Sequence, residues 1–123
     1  MSKTILIADD EKNILISLEF LMKREGYVVV VAHDGQEAID AIFRDHPDLV
    51  LLDVMMPKKT GFDVCQEVRA NPDFKDMLIL MLTAKGRDTD IAKGLAMGAN
   101  GYVIKPFSTR ELAQKVRDML DQA

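Results

Sequence analysis

Thr4-Ile5-Leu6-Ile7-Ala8, followed at once by Asp9-Asp10-Glu11, is the stretch that decides the fold. It is apolar throughout instead of alternating, which suits a strand covered on both faces and therefore a parallel sheet. Four more runs share this character, at residues 27–32, 49–53, 78–83 and 101–104. The segments between them carry helical periodicity. Ile14, Leu15, Leu18, Leu21 and Met22 form one core-facing stripe, and Leu112, Ala113, Val116, Met119 and Leu120 repeat it. Shorter stripes fall at Ala38, Ile39 and Ile42 and at Val64, Cys65 and Val68. Start signals agree with these helices: Thr60 with Asp63 and Ser108 with Glu111 fit the capping-box pattern, and Asp34 with Glu37 is a looser version. Five strand–helix units with right-handed crossovers predict an α/β fold, an open doubly wound flavodoxin-like (βα)5 sheet with strand order 2-1-3-4-5.

The 123 residues leave room for one domain, since domains typically hold about 100 to 200. With 48% hydrophobic and 29% charged residues the chain is that of a globular protein. The longest apolar runs, 27–32 and 77–82, are far below the roughly 20 residues a membrane helix needs, and the first strand meets its aspartates too soon for a secretory signal. A cytoplasmic protein without membrane contact is expected. A net charge of -4 gives no general pull toward nucleic acid or anionic lipid. The single Cys65 forms no intramolecular disulfide and is expected to be a buried, inert thiol. His33 and His46 lack a second ligand at metal spacing and read as ordinary loop or surface residues.

The fourth helix, about residues 87–97, is the weakest, because Gly94 lies inside it and Gly86 and Gly98 flank it. An interior glycine is worth about 0.5–1 kcal/mol less than alanine. Close packing at Gly94 is the plain explanation; a segment kept loose so that it can move is the other.

Ligands of such a sheet bind outside the carboxyl ends of its strands, and that is where the unusual polar residues fall. Strand 1 ends in Asp9-Asp10, strand 3 in Asp53, strand 4 in Thr83, and strand 5 runs into Lys105-Pro106; strand 2 contributes nothing obvious. Strands 1 and 3 are neighbours in the expected order, so Asp9, Asp10 and Asp53 should converge. A pair of carboxylates 4 Å apart repel by up to about 4 kcal/mol at an effective dielectric near 20. A hard divalent cation with oxygen ligands compensates, and an open carboxylate site with room for phosphate oxygens suits Mg²⁺. With the Lys105 ammonium and the Thr83 hydroxyl around Asp53, the set forms a cradle for a transferring phosphoryl group, Asp53 being the nucleophile. Taken singly the residues have ordinary readings: Asp9 or Asp10 as a helix N-cap, Thr83 as a strand end, Lys105 as a solvated lysine. Their convergence on one sheet edge favours the functional one.

The chain resembles the receiver domain of the bacterial two-component response regulators, the CheY-like family. The resemblance runs over residues 4–121 and rests on Ile5-Leu-Ile-Ala-Asp9-Asp10-Glu11, Leu49-Val-Leu-Leu-Asp53-Val-Met-Met-Pro57, Gly61, Leu82-Thr83-Ala84, Gly98-Ala99 and Tyr102-Val-Ile-Lys105-Pro106-Phe107. It implies one receiver domain over residues 1–123, with Asp53 accepting phosphate from a histidine kinase or histidine phosphotransfer protein. Asp9, Asp10 and Asp53 with the backbone carbonyl of Met55 would hold Mg²⁺, while Lys105 and Thr83 would bind phosphoryl oxygens. Lys105-Pro106 would be cis. Thr83 and Tyr102 resemble a switch pair, a hydroxyl that moves to the phosphate and a ring that turns inward past Ala84, with segment 86–98 as the mobile element. Met55 and Lys85 would tune hydrolysis.

Output would pass to a partner protein or to an output domain outside these residues, with the domain a monomer or weak dimer. Members that dimerise on activation often carry acidic residues after the Gly98-Ala99 position, where Asn100 and Gly101 stand here. Lys58-Lys59 and exposed residues of the first helix are candidate kinase contacts. Three other functions fit these residues less well. A flavodoxin-like cofactor binder would need a phosphate-binding loop where Asp9-Asp10-Glu11 repels one. An aspartate-nucleophile phosphatase of the haloacid dehalogenase type has a second Asp where Met55 stands. A pseudo-receiver acting by contacts alone would not need the full set of site residues.

Overall fold

The computed structural model describes residues 2–122. The strands are β1 (Thr4–Ala8), β2 (Val28–Ala32), β3 (Leu49–Asp53), β4 (Leu78–Ala84) and β5 (Gly101–Lys105). The helices are α1 (Lys12–Arg24), α2 (Gly35–Asp45), α3 (Gly61–Arg69), α4 (Asp88–Ala96) and α5 (Thr109–Gln122), with a single 3₁₀ turn at Pro72–Phe74. All strand pairs are parallel, in the order β2-β1-β3-β4-β5. This is the expected flavodoxin-like topology. Strand ends differ from the sequence reading by a residue: β2 begins at Val28, where its ladder with Thr4 starts, and β4 and β5 run on to the paired Ala84 and Lys105.

Successive side chains of a strand point to opposite faces, so each apolar run feeds two cores. Ile5 and Ile7 join Leu51, Leu80 and Leu82 against Leu15, Leu18 and Met22 of α1 and Leu112 and Val116 of α5. Leu6 and Ala8 join Val50, Leu52, Ile79 and Met81 against α2 and α3, where Val64, Cys65 and Val68 have no exposed surface. Cys65 is the buried thiol expected, and its Sγ donates to the Met97 carbonyl at 3.3 Å.

The helix starts follow their sequences in part: of the three expected capping pairs one is complete and two are half made. Thr60 and Asp63 form a complete capping box. Asp34 accepts from the Glu37 amide at 2.8 Å, but the Glu37 side chain turns back to His33 instead of closing the box. Ser108 accepts from the Glu111 amide at 3.2 Å. Neither Asp9 nor Asp10 is the N-cap of α1: that position is Glu11, without a side-chain cap bond, which leaves both aspartates to the strand end. His33 is exposed, and His46 takes the left-handed C-cap position of α2 and stacks on Phe74.

Two ends of α4 are held differently. At its carboxyl end, Arg69 of α3 donates to the Gly98 carbonyl at 3.0 Å and to the Asn100 side chain at 2.7 Å, and Asn100 Oδ1 also accepts from the Ile79 amide at 2.8 Å. At its amino end, Arg87 occupies the N-cap without a side-chain cap bond, just after Gly86 in the left-handed region. Gly94 is the one buried residue of α4. A Cβ placed there would lie 3.5 Å from Met81 Cγ, an ordinary van der Waals contact, so close packing does not account for the glycine.

Candidate functional site

The carboxyl edge of the sheet is built by three strand ends. Directly after β1, the Asp9 amide donates to the Ala32 carbonyl, and the Asp9 carboxylate, fully buried, accepts from the Glu11 amide at 2.9 Å through Oδ1. Asp53 closes β3, beside Leu82 of β4. The chain after it folds back sharply: the Gly61 amide donates to the Val54 carbonyl at 2.9 Å, and a Cβ on Gly61 would overlap the Asp53 carbonyl oxygen. Only a residue without a side chain permits that approach. Lys105 ends β5, and its bond to Pro106 is cis.

Asp9, Asp10 and Asp53 present carboxylate oxygens that all lie within 4.8 Å of one another. Lys105 Nζ sits 3.0 Å from Asp9 Oδ2 and 3.3 Å from Asp53 Oδ1. One ammonium faces three acids, two of them buried. Burial and then the Asp9 charge push the Asp53 carboxyl up to about 7, against the opposing pull of Lys105. Burial opposes the charge of Lys105, but its hydrogen bond to Asp9 and the charges of Asp53 and Asp9 outweigh it and raise the ammonium above its ordinary value. Without further positive charge the pocket therefore tends to keep a proton on Asp53. An all-oxygen donor set this close, short of cations, is chemically matched to a hard divalent ion.

Thr83 completes the edge. It is 2% exposed, and its Oγ1 finds no hydrogen-bond partner among the described residues. A buried hydroxyl left so is unfavourable by about 1–3 kcal/mol, and such groups call for explanations, a catalytic role among them. It lines a cavity of about 290 Å³ together with Asp53, Asp10, Met55, Ala84 and Lys105. The side chain of Met55 is largely exposed. Tyr102 stands apart from this cavity: its ring is 39% exposed, with Lys115 Nζ 5.9 Å from the ring centroid.

The cavity also takes in residues to which the sequence reading gave no role, namely Arg87, Asp90 and Glu11. Arg87 Nε pairs with Asp90 Oδ2 at 2.9 Å. The signal available was opposite charge at i, i+3 in the first turn of a helix that opens at the functional edge. Lys58 and Lys59 are paired with Asp34 and Glu67, at 3.4 and 3.1 Å.

A doubly wound sheet with an acidic cluster, a lysine and a threonine gathered at its carboxyl edge has its polar groups where ligands of such sheets bind. The family model of the response regulator receiver domain matches residues 5–117, and the chain belongs to that family. Solved structures agree with this. A chain of Chloroflexus aurantiacus, provisionally described as a response regulator, is 37% identical with a TM-score of 0.94, over 98% of this chain and 99% of that one. The chemotaxis response regulator CheY4 of Vibrio cholerae is 31% identical with a TM-score of 0.91, over 97% and 99%. The receiver domain of the sensor histidine kinase PA1611 of Pseudomonas aeruginosa PAO1, which holds a coordinated magnesium ion in its active-site cleft, is 27% identical with a TM-score of 0.90, over 98% and 99%. Among the described residues no helix is long and apolar enough to cross a membrane.

Proposed function

We propose that this receiver is a phosphorylation-controlled switch in which Asp53 takes a phosphoryl group from a phosphohistidine of a histidine kinase or phosphotransfer protein. The observation that carries the reading is the orphaned Thr83 hydroxyl, buried in the same cavity as Asp53 and Lys105. A phosphoryl oxygen there supplies the missing partner.

Asp9, Asp10 and Asp53, with the Met55 backbone carbonyl, are the residues that would hold Mg²⁺. When bound, the ion offsets the carboxylate charge and draws charge from the phosphoryl oxygens. Asp53 is the nucleophile: one carboxylate oxygen forms the new O–P bond while the N–P bond breaks, and the imidazole leaves with that electron pair and takes up a proton from solvent. Lys105, already 3.3 Å from Asp53, stabilises the charge on the transferring group. Thr83 turns its free hydroxyl to a phosphoryl oxygen, and the outward ring of Tyr102 moves into the space this opens. In hydrolysis water attacks the phosphorus and the Asp53 O–P bond breaks, releasing inorganic phosphate and regenerating the Asp53 carboxylate, with Met55 and Lys85 beside the approach.

An apolar groove of about 530 Å³ lined by Ile14, Ser17, Leu18 and Phe107 runs along Lys105 and gives a protein phosphodonor a surface beside the site. Replacing Asp53 by Asn is expected to abolish Mg²⁺-dependent labelling by a phosphorylated histidine kinase or by acetyl phosphate. Labelling that persists unchanged on the variant defeats the assignment; a wild-type protein that takes neither label nor Mg²⁺ leaves a module acting through contacts alone.

A further inference from the structure

We propose that Arg87 is a second cationic contact for the phosphoryl group, serving the α4 side of the cavity as Lys105 serves the β5 side. This rests on the phosphoacceptor reading of Asp53. Arg87 lines the same cavity as Asp53, Thr83 and Lys105. Among the described residues Asp90 is the one acid paired with its guanidinium, and the pairing uses Nε. A guanidinium presents its donors as a rigid fork matched to phosphate oxygens.

The charge around the cavity calls for such a contact. Asp10, Glu11, Asp53 and Asp90 line it against Arg87 and Lys105 alone. A phosphoryl dianion entering there faces Asp90, whose carboxylate is only 12% exposed and poorly screened. Arg87 both masks that acid and offers hydrogen bonds to the newcomer. The backbone leaves the side chain free to do so: it follows Gly86, at φ 84°, and α4 begins after it with no side-chain cap. The first turn of α4 thus carries the group that feels the added charge.

The test is calorimetric titration of beryllofluoride, a non-covalent stand-in for the phosphoryl group, into Mg²⁺-loaded protein. Arg87→Ala is expected to bind about tenfold more weakly and Arg87→Lys about threefold, because the ammonium keeps the charge and loses the fork. The double variant Arg87→Ala with Asp90→Asn separates donation from masking and should stay at least about threefold weaker than wild type. Wild-type affinity in Arg87→Ala, or full recovery in the double variant, overturns the proposal. A wild-type protein that fails to bind beryllofluoride at all, or an Asp53→Asn variant that binds it equally well, overturns the phosphoacceptor reading itself.

Discussion

The ammonium of Lys105 lies nearer to Asp9, at 3.0 Å, than to Asp53, at 3.3 Å. The lysine is therefore shared between a fully buried acid and the proposed phosphoacceptor. Cation binding to the carboxylates would relieve that sharing and leave the ammonium to the phosphoryl group.

Lys105→Met should accordingly destabilise the protein in EDTA by roughly 2–4 kcal/mol, since it strands buried carboxylates that must protonate or repel. Excess Mg²⁺ should restore most of the loss. Thermal melts in both conditions check this; equal destabilisation with and without the ion would show that lysine and metal do not answer the same charge.

Asp53 gives the pH dependence. Its carboxyl stands at about 7 in the folded chain against a reference of 3.8. Between those values the native state holds a proton that the unfolded chain has lost, so the stability this group contributes is complete below the lower value and falls as pH rises toward the upper one. Asp53→Asn removes the effect. In EDTA its stability advantage over wild type should grow by roughly 1–3 kcal/mol between pH 5 and pH 8 and stay flat when Mg²⁺ is saturating. Denaturant unfolding at the two pH values measures it, and an advantage that shrinks with pH contradicts the sign.

Thr83→Val keeps the shape of the side chain and removes the unpartnered hydroxyl. The metal-free variant should be as stable as wild type or more so, by up to about 1–2 kcal/mol. Its half-life as the acyl phosphate, followed with radiolabelled phosphate, should differ from that of wild type. A marked loss of stability would mean that the hydroxyl has a partner in the resting protein.

Gly94→Ala tests whether α4 is kept loose. Space exists for the added methyl against Met81, and alanine raises helix stability by about 0.5–1 kcal/mol. Amide exchange in residues 88–96 should slow in the variant. Protection of α4 in wild type already equal to that of α1 would remove the reason for the glycine offered here.

Much of this was legible from the residues. Uniformly apolar runs such as residues 49–52 announce a two-sided parallel sheet, and the order of the strands then brings Asp9, Asp10 and Asp53 to one edge. What periodicity could not supply was side-chain commitment. Asn100 reads as a gap in an acidic pattern, yet its oxygen is taken by Arg69 and the Ile79 amide, partners 31 and 21 residues away. Arg87 and Asp90 had no role in the sequence reading, and only the packing of α4 beside the sheet edge makes them part of a cavity wall. Gly94 looked like a packing glycine because sequence carries no measure of the room beside it.

The clamp of Arg69 on Gly98 and Asn100 holds α4 at one end, while among the described residues the Gly86–Arg87 end has no side-chain cap bond. A rod fastened so would swing and not slide. A small pull beside Asp53 would then become an angular sweep across the molecular surface, greatest next to the acid that caused it and fading to nothing at the anchored end.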